Sequence, residues 1–314
     1  MLRVKDIHHV VYRHADLAAV EAFLRDFGMV VAAREDDRVY FRGACSAPYI
    51  YIAERAETPS FGGLAFEVES RDDLLKAAAL QGASKVQPLD RPGGGERVIL
   101  HDPAGRRIEI VHGVSRVEPL SMRPALTYNT ADSKQRFGDT QRPEPGPAQI
   151  LRLGHIALGV QDLRKNLQWY TDVLGMLPSD MVVEGRPDNP HAVFLRIDRG
   201  ADWTDHHTVA LFGAADDHVH HASFEVQDVD SQYLGNRWLK QQAWTPFWGV
   251  GRHLLGSQVF DYWYDPSGNI IEHFTDGDLY NRESRTGYVE GGSDSLYQWG
   301  PDMTIENFLG HECR

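Results

Sequence analysis

A chain of 314 residues, 42% hydrophobic and 25% charged, has room for two ordinary globular domains. With 45 acidic against 32 basic residues its net charge is -13, which argues against the basic face that nucleic acid requires. No apolar run reaches the ~18 residues needed to span a bilayer, and the Met1-Leu-Arg-Val-Lys start lacks a signal-peptide core; a cytoplasmic protein with no membrane partner is expected. Cys45 and Cys313 lie too far apart for a disulfide framework, and neither has a neighbouring cysteine at metal-site spacing.

Taken in order, the chain repeats itself at about half its length. Ile7-His-His-Val-Val-Tyr12, Asp16-Leu17 and Phe27-Gly-Met29 open the first copy. Leu153-Gly-His-Ile-Ala-Leu158, Asp162-Leu163 and Leu174-Gly-Met176 open the second. Each reads as a strand leading into a helix that starts at Asp and stops at Gly. In the second copy Asp162 is the N-cap candidate, Leu163, Leu167, Tyr170 and Leu174 share one face, and Gly175 ends the helix.

The repeat continues with Leu64-Ala-Phe-Glu-Val68 against Ala222-Ser-Phe-Glu-Val226, each leading into a second helix. Asp102-Pro-Ala-Gly then matches Asp265-Pro-Ser-Gly, a tight turn feeding a strand that carries Glu109 in one copy and Glu272 in the other. An α+β fold follows, with two domains, each of paired βαβββ modules on a curved mixed sheet. The expected layout is domain 1 over 1–113, a proline-rich connection over 114–149, domain 2 over 150–278 and a tail over 279–314. The tail is rich in aromatics and is expected to cover the domain 2 pocket or form a subunit contact.

Glu272 stands among apolar strand residues, where a carboxylate is costly unless a cation or hydrogen bonds meet it. His155 and His221, on two other predicted strands, supply the rest of a two-histidine, one-carboxylate set, the facial arrangement that holds Fe(II) and leaves positions open. Alternation puts His220 and His221 on opposite faces, so only one points inward. The first copy is an internal control. His155 maps to His9 and Glu272 to Glu109, but His221 maps to Gly63. One metal site is therefore expected, in domain 2, with His9 and Glu109 left as buried, paired remnants.

On Gly154-His155, His220-His221, Gly251-Arg-His253 and Asp265-Pro-Ser-Gly through Glu272, the second half resembles the type I extradiol ring-cleaving dioxygenases of the vicinal oxygen chelate superfamily, the catechol 2,3-dioxygenase-like enzymes. The first half resembles them more weakly. The resemblance implies Fe(II), or Mn(II), on His155, His221 and Glu272, and cleavage of a catechol by O2 beside the diol. It implies His207 as the acid-base residue, with His253 and Tyr262 holding the diol; a solvated doublet at His206-His207 and a core role for Tyr262 stay open. Tyr264 shares the face of Tyr262. Family members acting on carboxylated catechols tend to carry arginine where this chain has Trp248, so an apolar or aryl substituent is expected. Trp248, Phe247 and Trp203 then form a substrate wall, or else core or interface. A homo-oligomer engaged in aromatic catabolism is expected. The competing readings are a glyoxalase- or thiol-transferase-type metalloenzyme of the same fold, and a non-enzymatic aromatic-binding protein.

Overall fold

A computed structural model describes residues 1–292 and 295–310; Cys313 lies outside the described residues. In the first half, β1 (Val4–His14), α1 (Leu17–Asp26), β2 (Val30–Arg34), β3 (Arg38–Arg42) and β4 (Tyr51–Arg55) make one βαβββ module. A second follows: β5 (Ser60–Val68), α2 (Arg71–Ala78), β6 (Gln87–Pro88), β7 (Glu96–His101) and β8 (Arg107–His112). The second half repeats the plan with β9 (Ile150–Val160), α3 (Leu163–Asp172), β10 (Leu177–Glu184), β11 (Arg186–Arg196), a short β12 (Thr204–Asp205) and β13 (Val209–Gly213). Its last module is β14 (His218–Val226), α4 (Val229–Gln241), β15 (Pro246–His253), β16 (Val259–Tyr264) and β17 (Ile270–Thr275). The tail adds β18 (Leu279–Tyr280), β19 (Gly287–Glu290), β20 (Tyr297–Trp299) and α5 (Ile305–Leu309). Each half is thus an α+β domain on a mixed sheet: eight strands in the order β2-β3-β4-β1-β5-β8-β7-β6, and ten in the order β19-β10-β11-β13-β9-β14-β17-β16-β15-β20.

The helices start where the sequence places their caps. Asp16 accepts from the backbone N–H of Ala18 and Ala19, Asp162 from Lys165 and Asp228 from Ser231. Each such cap contributes about 1 kcal/mol. Along α3, Leu163 and Tyr170 are buried, and the helix stops at Asp172, short of Gly175, which takes a φ of 70° in the turn that follows. No helix among the described residues is long and apolar enough to cross a membrane. Residues 114–149 contain no strand or helix; they run over the surface and are tied down where Arg123 donates to Asp228 at 2.6 Å.

The two halves share one apolar core, which includes Phe27 and Phe66 from the first and Leu158, Phe224 and Trp263 from the second. Polar contacts fix their relative placement. Asp26 accepts from the indoles of Trp238 and Trp244, and His273 donates to the carbonyl of Phe27 while stacking on its ring. Gly28, with a φ of 107°, passes so close to Ala148 that a Cβ there would lie 1.7 Å from its carbonyl oxygen. Only glycine meets both demands.

The tail pairs with both edges of the ten-stranded sheet: β19 lies parallel to β10, and β20 antiparallel to β15. The short β19 and β20 thereby become the edge strands of that sheet.

Candidate metal centre

Three adjacent strands build the centre. In the ladder, Ser223 of β14 stands opposite His155 of β9 on one side and opposite Glu272 of β17 on the other. His221 lies two residues earlier on β14, on the same face because strand side chains alternate. His155, His221 and Glu272 therefore converge, each offering a ligand atom within 4.8 Å of the others. His155 Nε2 lies 3.1 Å and His221 Nε2 3.4 Å from Glu272 Oε2.

Glu272 is wholly buried, yet neither carboxylate oxygen has a hydrogen-bond partner. Burial raises its pKa; with no cation between them, only a proton shared with His155 and His221 brings the carboxyl well below the usual range. Burial lowers His221 in turn, keeping its ring neutral. An ionised carboxylate without a directed hydrogen bond is expensive in a protein interior. A divalent cation, met by two neutral imidazoles and this carboxylate, removes that cost, and the donor set fits Fe(II), Mn(II) or Zn(II).

Around the triad stand the other histidines. His207 lies with its ring centre 4.2 Å from that of His155, and burial, with His155 next, holds it well below its ordinary pKa. Asp180 accepts from His206 Nε2 at 2.7 Å, and His206 Nδ1 lies 3.0 Å from His207 Nδ1. With the His206 proton on Nε2, a neutral ring must accept at Nδ1. His207 then donates from Nδ1 and turns a bare Nε2 to the cavity. His253, lowered to about 4 by burial, donates Nδ1–H to the carbonyl of Leu296, so its Nε2 accepts from the Tyr262 hydroxyl at 2.8 Å. Burial, then the charge of Glu272, pushes Tyr262 well above its usual pKa and keeps it a phenol.

The triad opens into a cavity of about 440 Å³. His155, His207, His221, His253 and Tyr262 line its floor. Its walls are largely apolar, with Ala157, Phe194, Ala210 and Phe212 from the sheet and Leu296 and Phe308 from the tail, and carry Glu184, His191, Gln258 and Ser295 as their polar groups.

The expected substrate wall is elsewhere. Trp203 is 65% exposed, on the loop before β12, outside the lining. Trp248 is buried behind Tyr262, stacked parallel to it at 5.9 Å with its indole N–H on the carbonyl of Pro301. Phe247 and Tyr264 pack with it in the same cluster, outside the lining. The reason is local. Strand β15 slips register on both sides of Trp248, so simple alternation misassigns its faces. The tail lines the pocket, one of the two roles expected of it; Asp180 was not singled out from the sequence, and His206 only through the doublet His206-His207.

The comparisons agree with this architecture. A family profile described as Glyoxalase/Bleomycin resistance protein/Dioxygenase superfamily matches residues 6–110 and 152–273. The chain is 31% identical to Metapyrocatechase 2 of Cupriavidus necator over 96% of its own length and 90% of that protein. It is 25% identical to Biphenyl-2,3-diol 1,2-dioxygenase of Paraburkholderia xenovorans over 95% of each. Among solved structures, a Mn(II)-bound glyoxalase from Novosphingobium aromaticivorans aligns with a TM-score of 0.82 at 21% identity, over 99% of this chain and 96% of that one. Homoprotocatechuate 2,3-dioxygenase from Brevibacterium fuscum, in complex with 3,4-dihydroxyphenylacetate, gives 0.82 at 18%, over 98% and 92%. The chain belongs to the glyoxalase/bleomycin resistance protein/dioxygenase superfamily, in the branch of the extradiol dioxygenases.

Proposed function

We propose that the protein holds one Fe(II), with Mn(II) as the second candidate, on His155, His221 and Glu272, and uses O2 to open a catechol carrying an apolar or aryl substituent. The observation that carries this reading is the wholly buried Glu272, neither oxygen hydrogen-bonded, set against His155 and His221 where these two line a largely apolar cavity. The bound ion supplies neighbouring positions for the diol and O2 and a path for electrons between them.

The residues around it divide the remaining work. His207 Nε2 accepts a proton from a catechol hydroxyl and returns it as the ring C–C bond beside the diol breaks and both oxygen atoms enter the product. The Asp180–His206 chain supports the positive charge that His207 carries between those steps. Tyr262 and His253 hold the diol oxygens, which keeps the reacting groups side by side. The apolar walls expel water and receive the ring substituent. Among the described residues no lysine or arginine lines the cavity, and His191 in its wall already faces Glu184 at 3.1 Å, so a carboxylated side chain meets little free counter-charge there. Relatives named for catechol and for biphenyl-2,3-diol support this class of substrate.

The test is anaerobic loading with Fe(II), then addition of 3-substituted, 4-substituted and carboxylated catechols and air. Oxygen uptake with a yellow product from the apolar diols, and little from the carboxylated ones, is expected. No uptake with any diol in protein shown to hold one ion per chain would overturn the reading.

A further inference from the structure

Three of the four imidazoles on the cavity floor are held from behind. His253 is tied to Leu296, and His207 to Asp180 through His206. His221 is held by a third relay. Its Nδ1 lies 2.7 Å from His220 Nδ1, and His220 Nε2 lies 2.5 Å from the carbonyl oxygen of Phe308 in α5. A carbonyl oxygen only accepts, so His220 donates from Nε2 and, as a neutral ring, accepts at Nδ1. His221 must then carry its proton on Nδ1 and present the Nε2 lone pair toward Glu272. His155 has no such support, because its Nδ1 is buried without a partner. Of the two imidazoles in the set, His221 alone has its tautomer fixed by an outer bond.

We infer that His220 is a positioning residue which joins the C-terminal helix to the metal, so that the seating of α5 sets how tightly the ion is held. The inference rests on the proposed metal site. A helix of five residues does not persist alone. It is kept in place by Phe308, which is 8% exposed and packs 4.5 Å from the ring of His220 and 5.5 Å from that of Trp248. Outer-shell bonds of this kind orient a ligand and raise its basicity. Domain 1 shows the contrast. The doublet His8-His9 makes the same Nδ1–Nδ1 contact at 2.8 Å, but His8 Nε2 ends on no acceptor, and His9 meets an arginine.

The test measures Mn(II) affinity of the full chain by competition with a chelator, reading free Mn(II) by electron paramagnetic resonance. His220→Leu, which removes both bonds, should weaken binding about 10–100-fold. His220→Asn, which restores an acceptor beside His221, should recover most of the loss. Phe308→Ala should weaken binding in the wild-type background and have no further effect beside His220→Leu. Should His220→Leu not fold, His220→Phe, which keeps a ring in the same space and loses both bonds, takes its place with the same expectation. Wild-type affinity in His220→Leu or its replacement, or an equal effect of Phe308→Ala in both backgrounds, would overturn the link. Failure of the wild-type chain to bind Mn(II) or Fe(II) would instead overturn the metal site itself.

Discussion

The two domains place a histidine and a glutamate at the same points of the ladder and surround the buried carboxylate differently. In domain 1, Ala65 of β5 stands opposite His9 of β1 and Glu109 of β8, as Ser223 stands opposite His155 and Glu272. Two residues before Ala65 comes Gly63, where domain 2 has His221. Into the gap reaches Arg91, whose Nη1 lies 2.9 Å from His9 Nε2 and 2.8 Å from Glu109 Oε2. One guanidinium nitrogen thus touches the counterparts of two metal ligands. Arg97 and Arg107 complete the charge, at 3.1 and 2.7 Å from Glu109 Oε1. Burial would raise the Glu109 carboxyl, but the three arginines outweigh it and hold it below its usual range. The lesson is electrostatic. A buried carboxylate at this point in the fold must meet positive charge; the chain supplies it covalently in domain 1, and in domain 2 the proposed ion takes that part. Reversion by one substitution is blocked, because Gly63 has a φ of 136° and a Cβ there would lie 2.7 Å from the carbonyl oxygen of Arg107.

The sharpest way to break the comparison is to neutralise each carboxylate. Glu272→Gln should abolish ring opening and weaken metal binding by more than the roughly 10–100-fold loss that follows removal of an outer-shell partner. Glu109→Gln should leave one ion per chain, counted by elemental analysis. A second bound ion lost from domain 1 would sink the assignment. Next, His207→Ala should leave the ion in place and slow turnover by roughly 10²–10⁴-fold, as loss of an acid-base group does. Arg91→Met tests domain 1 directly. It breaks a buried pair and should cost about 3 kcal/mol, read as a lower denaturant midpoint, with metal affinity unchanged. Filling the cavity with Ala210→Phe should lower kcat/KM for aryl-substituted catechols by roughly 10-fold relative to catechol itself, since a pocket clash of this size is worth 1–3 kcal/mol.

The smallest effect is in pH. Burial lowers His8 of domain 1 from 6.5 to about 3, so its neutral form stabilises the fold above pH 6.5, and that contribution is lost as pH falls toward 3. Burial raises Asp261 of domain 2 from 3.8 to about 7, so its contribution is present below pH 3.8 and is lost as pH rises toward 7. Between pH 4 and 6.5 the two slopes oppose. His8→Asn and Asp261→Asn should therefore tilt the melting temperature against pH in opposite directions. Parallel tilts would refute the assignment.

The repeat itself made much of this legible. Because both copies carry the same landmarks, His155, His221 and Glu272 stood out at corresponding places, and Gly63 marked which copy lacked a ligand. Helix starts were readable because Asp16, Asp162 and Asp228 cap by local hydrogen bonds. Trp248 was not readable, since its direction depends on register slips in β15 that follow from pairing with distant strands. Arg91 was invisible for a related reason: nothing near it in sequence points to Glu109.

The sequence by itself determined the two-domain plan and the grouping of His155, His221 and Glu272, because strand alternation, turn chemistry and duplication are local or periodic signals. Only the tertiary structure decided what meets each buried carboxylate, which histidine nitrogen faces the cavity, and that the tail closes it. Those depend on side chains far apart in the chain arriving at one place, and long-range partners leave no periodic mark in the sequence.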